Sequence, residues 1–328
     1  MDEQWMRDQL ARPDVIGVFW GPPVGRPLDP PGWIIRHTPS AGGGWSGGFN
    51  KGLNTGLDNY GLDPARDDKN GGRPSWWPAG NVTVEVGGAI ELHTFAAGTR
   101  CEPPLVGGGF DTRAAGTVTA MVEADAKGPA LALLAGHAAT PRDNGVLDLS
   151  FRRTAANTGM RVRITEPAAV EADLLLAELG GAVDAALARL ATDEIDARHP
   201  ATGHRPPYTT VAAAAAGTDV HHHSRMAGGT VRGRIRAGPG PGHLSGINIL
   251  INGERLVYEG VWVIEPTEAD RFSQPGDSGS LVFVGDDALG MIVGGDPLHA
   301  NGGTCSYVLG VRALAPLLRL PIYQRFFT

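Results

Sequence analysis

Phe272-Ser273-Gln274-Pro275-Gly276-Asp277-Ser278-Gly279-Ser280-Leu281-Val282-Phe283 sets a serine between glycines, just ahead of four residues that favour a strand. A serine in a tight glycine turn can present its hydroxyl to solvent. The same turn aims backbone N–H groups at one point. Acyl transfer needs both: a nucleophile, and donors directed at the negative oxygen of a tetrahedral intermediate. The plain alternative is a polar surface turn between two strands, for which these residue types are also suited.

Working outward, the segment Leu133-Leu134-Ala135-Gly136-His137-Ala138-Ala139 brings a histidine directly after an apolar run. Val183-Asp184-Ala185-Ala186-Leu187-Ala188-Arg189-Leu190 offers an acid followed by apolar residues. The order is His137, then Asp184, then Ser278. In that order the three patches resemble the trypsin/chymotrypsin-like serine protease superfamily, in its bacterial, low-disulfide branch. The resemblance runs from about residue 115 to residue 311. Arg225-Met226-Ala227-Gly228-Gly229-Thr230-Val231-Arg232-Gly233 is similar to the segment that opens the second barrel in bacterial members. Ala288-Leu289-Gly290-Met291-Ile292-Val293-Gly294-Gly295 resembles the strand that lines the specificity pocket.

The resemblance implies a mainly β fold of two six-stranded antiparallel barrels with the active site between them. It divides the chain into an N-terminal extension with some α/β structure (1–106), a first barrel (107–205) and a second barrel with a C-terminal helix (206–328). It implies Ser278 as nucleophile, His137 as general base and Asp184 as the group that fixes the imidazole. Gly276 and Ser278 would supply the oxyanion N–H donors, and Asp277 would shape the turn. Asp143, Asp148 and Asp173 are rival acids. Phe272, Gln274 and Pro275, with Val293, Gly294 and Gly295, would line the substrate pocket. No acid lies among the residues just before the turn to attract Lys or Arg, so an apolar residue before the scissile bond is expected. Two features depart from the secreted enzymes: Ala138-Ala139 after the histidine, and Ser280 where glycine is usual. They keep open a catalytically silent or partner-activated binding module; a self-processing protease or esterase using the same triad is a further alternative.

Composition agrees with a strand-rich globular chain. The 328 residues are 42% hydrophobic and 19% charged, with 48 Gly and 25 Pro, which favours short strands and turns over long helices. The net charge of −7 argues against nucleic acid as a partner. No apolar run reaches a membrane span. The expected partner is a protein or peptide substrate, with a regulatory partner acting through the N-terminal region. The charged start, Met1–Asp8, reads as lacking a secretory signal. With only Cys101 and Cys305, read as free thiols, it points to a reducing cytoplasm.

Along the chain the sequence predicts a helix over Glu3–Ala11 and a strand over Val15–Trp20. Residues 36–80 form a long Gly/Pro/Asn/Asp stretch that includes Trp76-Trp77. Strands at Val82–Val86 and Ile90–Phe95 are expected to form a hairpin through Gly87-Gly88. Leu174–Leu190 would suit helix by its Ala and Leu content; Gly180-Gly181 and the resemblance favour strands. Ile247–Ile251 and Leu256–Ile264, joined through Asn252-Gly253, are expected in the second barrel. Val311–Leu320 is expected to be a terminal helix, with Pro316 inside it. His221-His222-His223 alternates along a strand, so His221 and His223 share a face. With His199, His204 or His243 they are a conceivable zinc set, but no flanking spacing supports it. No metal and no cofactor are expected.

Overall fold

The computed structural model describes residues 3–12, 15–22, 31–37, 82–86, 91–92, 100–112, 116–143, 146–147, 160–165, 169–180, 183–192, 195–224, 226–240, 245–251, 254–268, 270–296 and 305–328. The chain opens with helix α1 (Glu3–Leu10) and strands β1 (Val15–Gly21), β2 (Gly32–His37), β3 (Val82–Val86) and β4 (Glu91–Leu92). There follow β5 (Arg100–Glu102), β6 (Gly116–Val122), β7 (Leu131–Leu134), the helical turn α2 (Gly136–Ala139), β8 (Arg142–Asp143), β9 (Val146–Leu147), β10 (Arg161–Ile164), β11 (Val170–Gly180) and β12 (Val183–Leu190). The last third holds β13 (Asp219–Ser224), β14 (Gly229–Ala237), β15 (Gly246–Ile251), β16 (Glu254–Glu259), β17 (Val261–Pro266), β18 (Leu281–Val284), β19 (Asp287–Gly295) and β20 (Ser306–Gly310). A 3₁₀ turn at Val311–Leu314 leads into α3 (Ala315–Phe326).

Two rings of six strands close. The first runs β10-β11-β12-β7-β6-β5, and the second runs β18-β13-β14-β17-β20-β19 and shuts through the β18–β19 pair. All pairings within the rings are antiparallel. The fold is therefore mainly β, and closure leaves neither ring with a free edge of its own. β5 belongs to the first ring, so that barrel begins before residue 107.

The Ala/Leu-rich segment after residue 170 is a long hairpin, β11–β12, turning through Gly180 with φ +87°. Its composition also suits helix, but its burial has period two. Ala185 and Leu187 enter one core cluster, while Ala186, Ala188 and Leu190 enter another. Only a strand sends alternate residues to opposite faces.

The N-terminal region departs from expectation. β3 pairs in parallel with β2, and β4 pairs with β19 of the second barrel, so β3 and β4 form no hairpin. The proposed turn, Gly87-Gly88, lies outside the described residues, as do residues 38–81. β15 and β16 do form the expected antiparallel pair, but not within the second barrel. They project from it and join a five-stranded sheet in the order β16-β15-β1-β2-β3. Asn248 Nδ2 ties the junction, donating to the carbonyls of Leu10 and Val15 at 2.7 Å each. Ile247, Ile249 and Tyr258 then bury beside Ile16, Phe19 and Ile34.

Met6 and Leu10 bury one face of α1 against Val15, Val18, Trp33 and Ile35. At the C-terminus, Pro316 falls in the first turn of α3, where its missing N–H costs nothing. The axis breaks at Arg319, ahead of Pro321. Among the described residues, no helix is long and apolar enough to cross a membrane.

Candidate active site

His137 sits in α2, the single turn that β7 runs into. Its Nδ1 lies 2.5 Å from Asp184 Oδ2, and its backbone N–H donates to Asp184 Oδ1 at 2.7 Å. Both side chains are fully buried. Asp184 is the second residue of β12, paired with Leu179 across the hairpin. The rival acids lie elsewhere: Asp173 engages Arg161 and Arg189 at the surface, and Asp143 is exposed in β8. Asp148 is outside the described residues. His137 Nε2 is buried without a hydrogen-bond partner among the described residues.

Ser278 reaches this point from the second barrel, on the loop that precedes β18. Residue 116 marks the crossing. A Cβ placed there would lie 2.3 Å from the Ala138 Cβ and 3.2 Å from the Ser278 carbonyl oxygen. The residue after His137 and the backbone of Ser278 thus meet over β6. Ser278 Oγ is buried and lies 3.5 Å from the Val293 carbonyl, a contact at the weak end of hydrogen bonding.

The turn before Ser278 closes through Asp277 N–H to the Gln274 carbonyl, 2.9 Å. Pro275 takes its second position and Gly276, with φ +107°, its third; this is the type II pattern, which needs glycine there. Among the described residues, neither the Gly276 N–H nor the Ser278 N–H donates to a carbonyl. Asp277 points away from the histidine. Its Oδ2 accepts the Gln274 N–H at 3.1 Å, and Ser224 Oγ lies 3.1 and 3.0 Å from its two oxygens. Burial pushes this carboxyl up to about 6, against the opposing pull of the Gln274 N–H and the Ser224 hydroxyl.

The expected pocket residues border the same loop. Phe272 is buried, and its carbonyl accepts from His222 Nε2 at 2.7 Å. Gln274 and Pro275 are half-buried. Val293, Gly294 and Gly295 are buried at the end of β19. In the strand register Gly294 pairs with Leu92 and Gly295 with Glu91 of β4. Just beyond Gly295, Asp296 forms a fully buried ion pair with Arg36 of β2 at 2.6 Å.

Three contributors escaped the sequence reading: Ser224, Arg36 and Thr117. Ser224 follows the histidine run, which drew attention to metal instead. His222 in fact points inward alone, with His221 and His223 half-buried on the other face of β13. His204 is exposed, and His243 lies outside the described residues. Among the described residues no three His, Cys, Asp or Glu side chains gather as a metal site.

No family model matches the chain, and no curated protein matches it. Solved structures do. A Nocardiopsis protease overlaps 71% of this chain and 93% of its own at 16% identity and a TM-score of 0.41. Thermobifida fusca protease A overlaps 70% and 94%, at 14% identity and 0.41. A Cellulomonas bogoriensis chymotrypsin overlaps 57% and 81%, at 17% identity and 0.37. Two closed six-stranded antiparallel barrels make up the double-barrel fold of the trypsin/chymotrypsin-like serine proteases.

Proposed function

We propose that the chain is a serine endopeptidase. The observation that carries the reading is the buried His137–Asp184 pair, which leaves Nε2 as the unspent ring nitrogen of the residue just before Ala138, where the first barrel approaches the Ser278 backbone. Ser278 Oγ attacks the peptide carbonyl, and its proton passes to His137 Nε2. The N–H groups of Gly276 and Ser278 receive the oxyanion. Collapse of the intermediate breaks the C–N bond, and the histidine returns the proton to the leaving amine. Water then hydrolyses the acyl-enzyme by the same route. Asp184 holds the imidazole in the tautomer that keeps Nε2 basic. The run just before the turn, Arg271–Pro275, holds no acid to attract Lys or Arg, which supports an apolar residue before the scissile bond. The two buried free thiols support a reducing, cytoplasmic compartment.

A second reading, a latent form released by a partner, is favoured by two observations. Ser278 Oγ leans toward the Val293 carbonyl, and β4 pairs with Gly294 and Gly295 on the strand that carries Val293. A strand edge beside a nucleophile is where an extended peptide adds, and here the chain's own segment takes it. Intact-mass measurement after fluorophosphonate treatment separates the readings. A single adduct on Ser278, absent from Ser278→Ala, supports an assembled enzyme. No adduct on the folded chain supports the latent form.

A further inference from the structure

We propose that Thr117 is a positioning residue that holds the oxyanion-binding loop in shape from the opposite barrel. The inference rests on the serine-hydrolase reading above. Thr117 lies in β6 of the first barrel, yet its backbone N–H and its hydroxyl both go to the Ser278 loop of the second. Its N–H donates to the Ser278 carbonyl at 2.7 Å, and its Oγ1 donates to the Gly276 carbonyl at 2.7 Å. The loop lies so close to β6 that a Cβ on residue 279 would come within 2.1 Å of the Thr117 carbonyl oxygen.

Three successive peptide groups show what this does. In a trans peptide the C=O and N–H point in opposite directions, so fixing one fixes the other. In the Gly276–Asp277 peptide, the carbonyl goes to Thr117 Oγ1 and the N–H goes to the Gln274 carbonyl. In the Ser278–Gly279 peptide, the carbonyl goes to the Thr117 N–H and the N–H goes to the Ile292 carbonyl at 2.7 Å. In the Asp277–Ser278 peptide between them, the carbonyl accepts from the Ser280 N–H at 2.8 Å. Of the six groups, the Ser278 N–H alone is left over among the described residues, and it is the donor the chemistry needs.

Thr117 Oγ1 is the one side-chain group in that set. It fixes the plane whose N–H closes the Gln274–Asp277 turn, and so the turn that carries the Gly276 N–H. It also links the barrel that holds His137 to the barrel that holds Ser278.

The test compares Thr117→Val with Thr117→Ser in the full chain. Valine keeps the shape, the backbone N–H and the preference for a strand, and removes only the hydroxyl. Serine keeps the hydroxyl. Two readouts are taken: the rate of fluorophosphonate labelling at Ser278, and hydrogen exchange at the Asp277 amide. The expected result for Thr117→Val is labelling slowed about tenfold, less than the ~10²–10³ cost of deleting an oxyanion donor outright. Asp277 exchange rises in step. Thr117→Ser stays within about threefold of wild type in both. Asp277 exchange or labelling in Thr117→Val that matches wild type overturns the proposal, as does equal loss in both variants. If wild type takes no label at all, the assembled-enzyme reading gives way to the latent form, while Asp277 exchange still decides whether Thr117 holds the loop.

Discussion

Asp184 grips His137 twice: Oδ2 takes the ring at Nδ1, 2.5 Å away, and Oδ1 takes the backbone N–H at 2.7 Å. The second bond fixes where the histidine sits, and the first fixes which way its ring faces. A carboxylate can do both because it only accepts.

Asp184→Asn separates the two functions. The amide oxygen can keep the backbone N–H, but its NH₂ then faces Nδ1 and favours the tautomer protonated at Nε2. That form cannot take a proton from Ser278. The expected outcome is a folded protein whose turnover of an activated ester falls by about 10⁴, the scale of this change in comparable triads. Circular dichroism and ester kinetics on the same preparation check it. Activity within tenfold of wild type would mean that Asp184 does not set the tautomer.

The site was legible in the sequence to the extent that its chemistry is local. Ser278 stands between glycines in a turn whose pattern names its own conformation. His137 and Asp184 each adjoin an apolar strand that buries them. What escaped depends on long-range pairing. Asn252-Gly253 announces a hairpin but not which sheet it joins, and β15 chose β1, more than two hundred residues earlier. Gly87-Gly88 suits a hairpin equally well, yet β3 and β4 found partners in different sheets. Thr117 reads as an ordinary member of an alternating strand. Nothing nearby in sequence shows that its hydroxyl meets a carbonyl 159 residues away.

Acid stability tests the buried histidines. Burial pushes His222 down from 6.5 to about 4, although its bond to the Phe272 carbonyl pulls the other way; burial, with neighbouring His charges, pushes His199 down to about 3. A histidine held neutral in the folded state costs nothing above pH 6.5, where the unfolded chain is neutral too. As pH falls toward 4, only the unfolded chain takes up the proton, so stability is lost. For His222 the gap is worth about 3 kcal/mol. His222→Gln keeps a donor for the Phe272 carbonyl and removes the titration. Denaturant unfolding at pH 7 and pH 4 should therefore show wild type losing about 3 kcal/mol more than the variant. The comparison cancels the opposing contribution of Asp277, which both proteins share. Equal losses would mean that His222 is not held neutral.

The Arg36–Asp296 pair is where the N-terminal sheet is joined to the second barrel beside Gly295. Arg36 comes from β2 and Asp296 follows β19; their side chains are 1% and 0% exposed. A pair this dry is not in itself strong evidence of stability, since removing two charges from water offsets much of their attraction. Losing one partner is different, because the other buried charge then loses the opposite charge 2.6 Å away. Arg36→Met should cost about 3–5 kcal/mol. The double variant Arg36→Met with Asp296→Leu removes both buried charges and should recover most of that loss. Urea titration of the two variants and wild type gives the comparison. The same set, labelled with fluorophosphonate, reports whether loosening this joint changes access to Ser278. A double variant no more stable than Arg36→Met alone would mean that the arginine acts through its packing rather than through its charge.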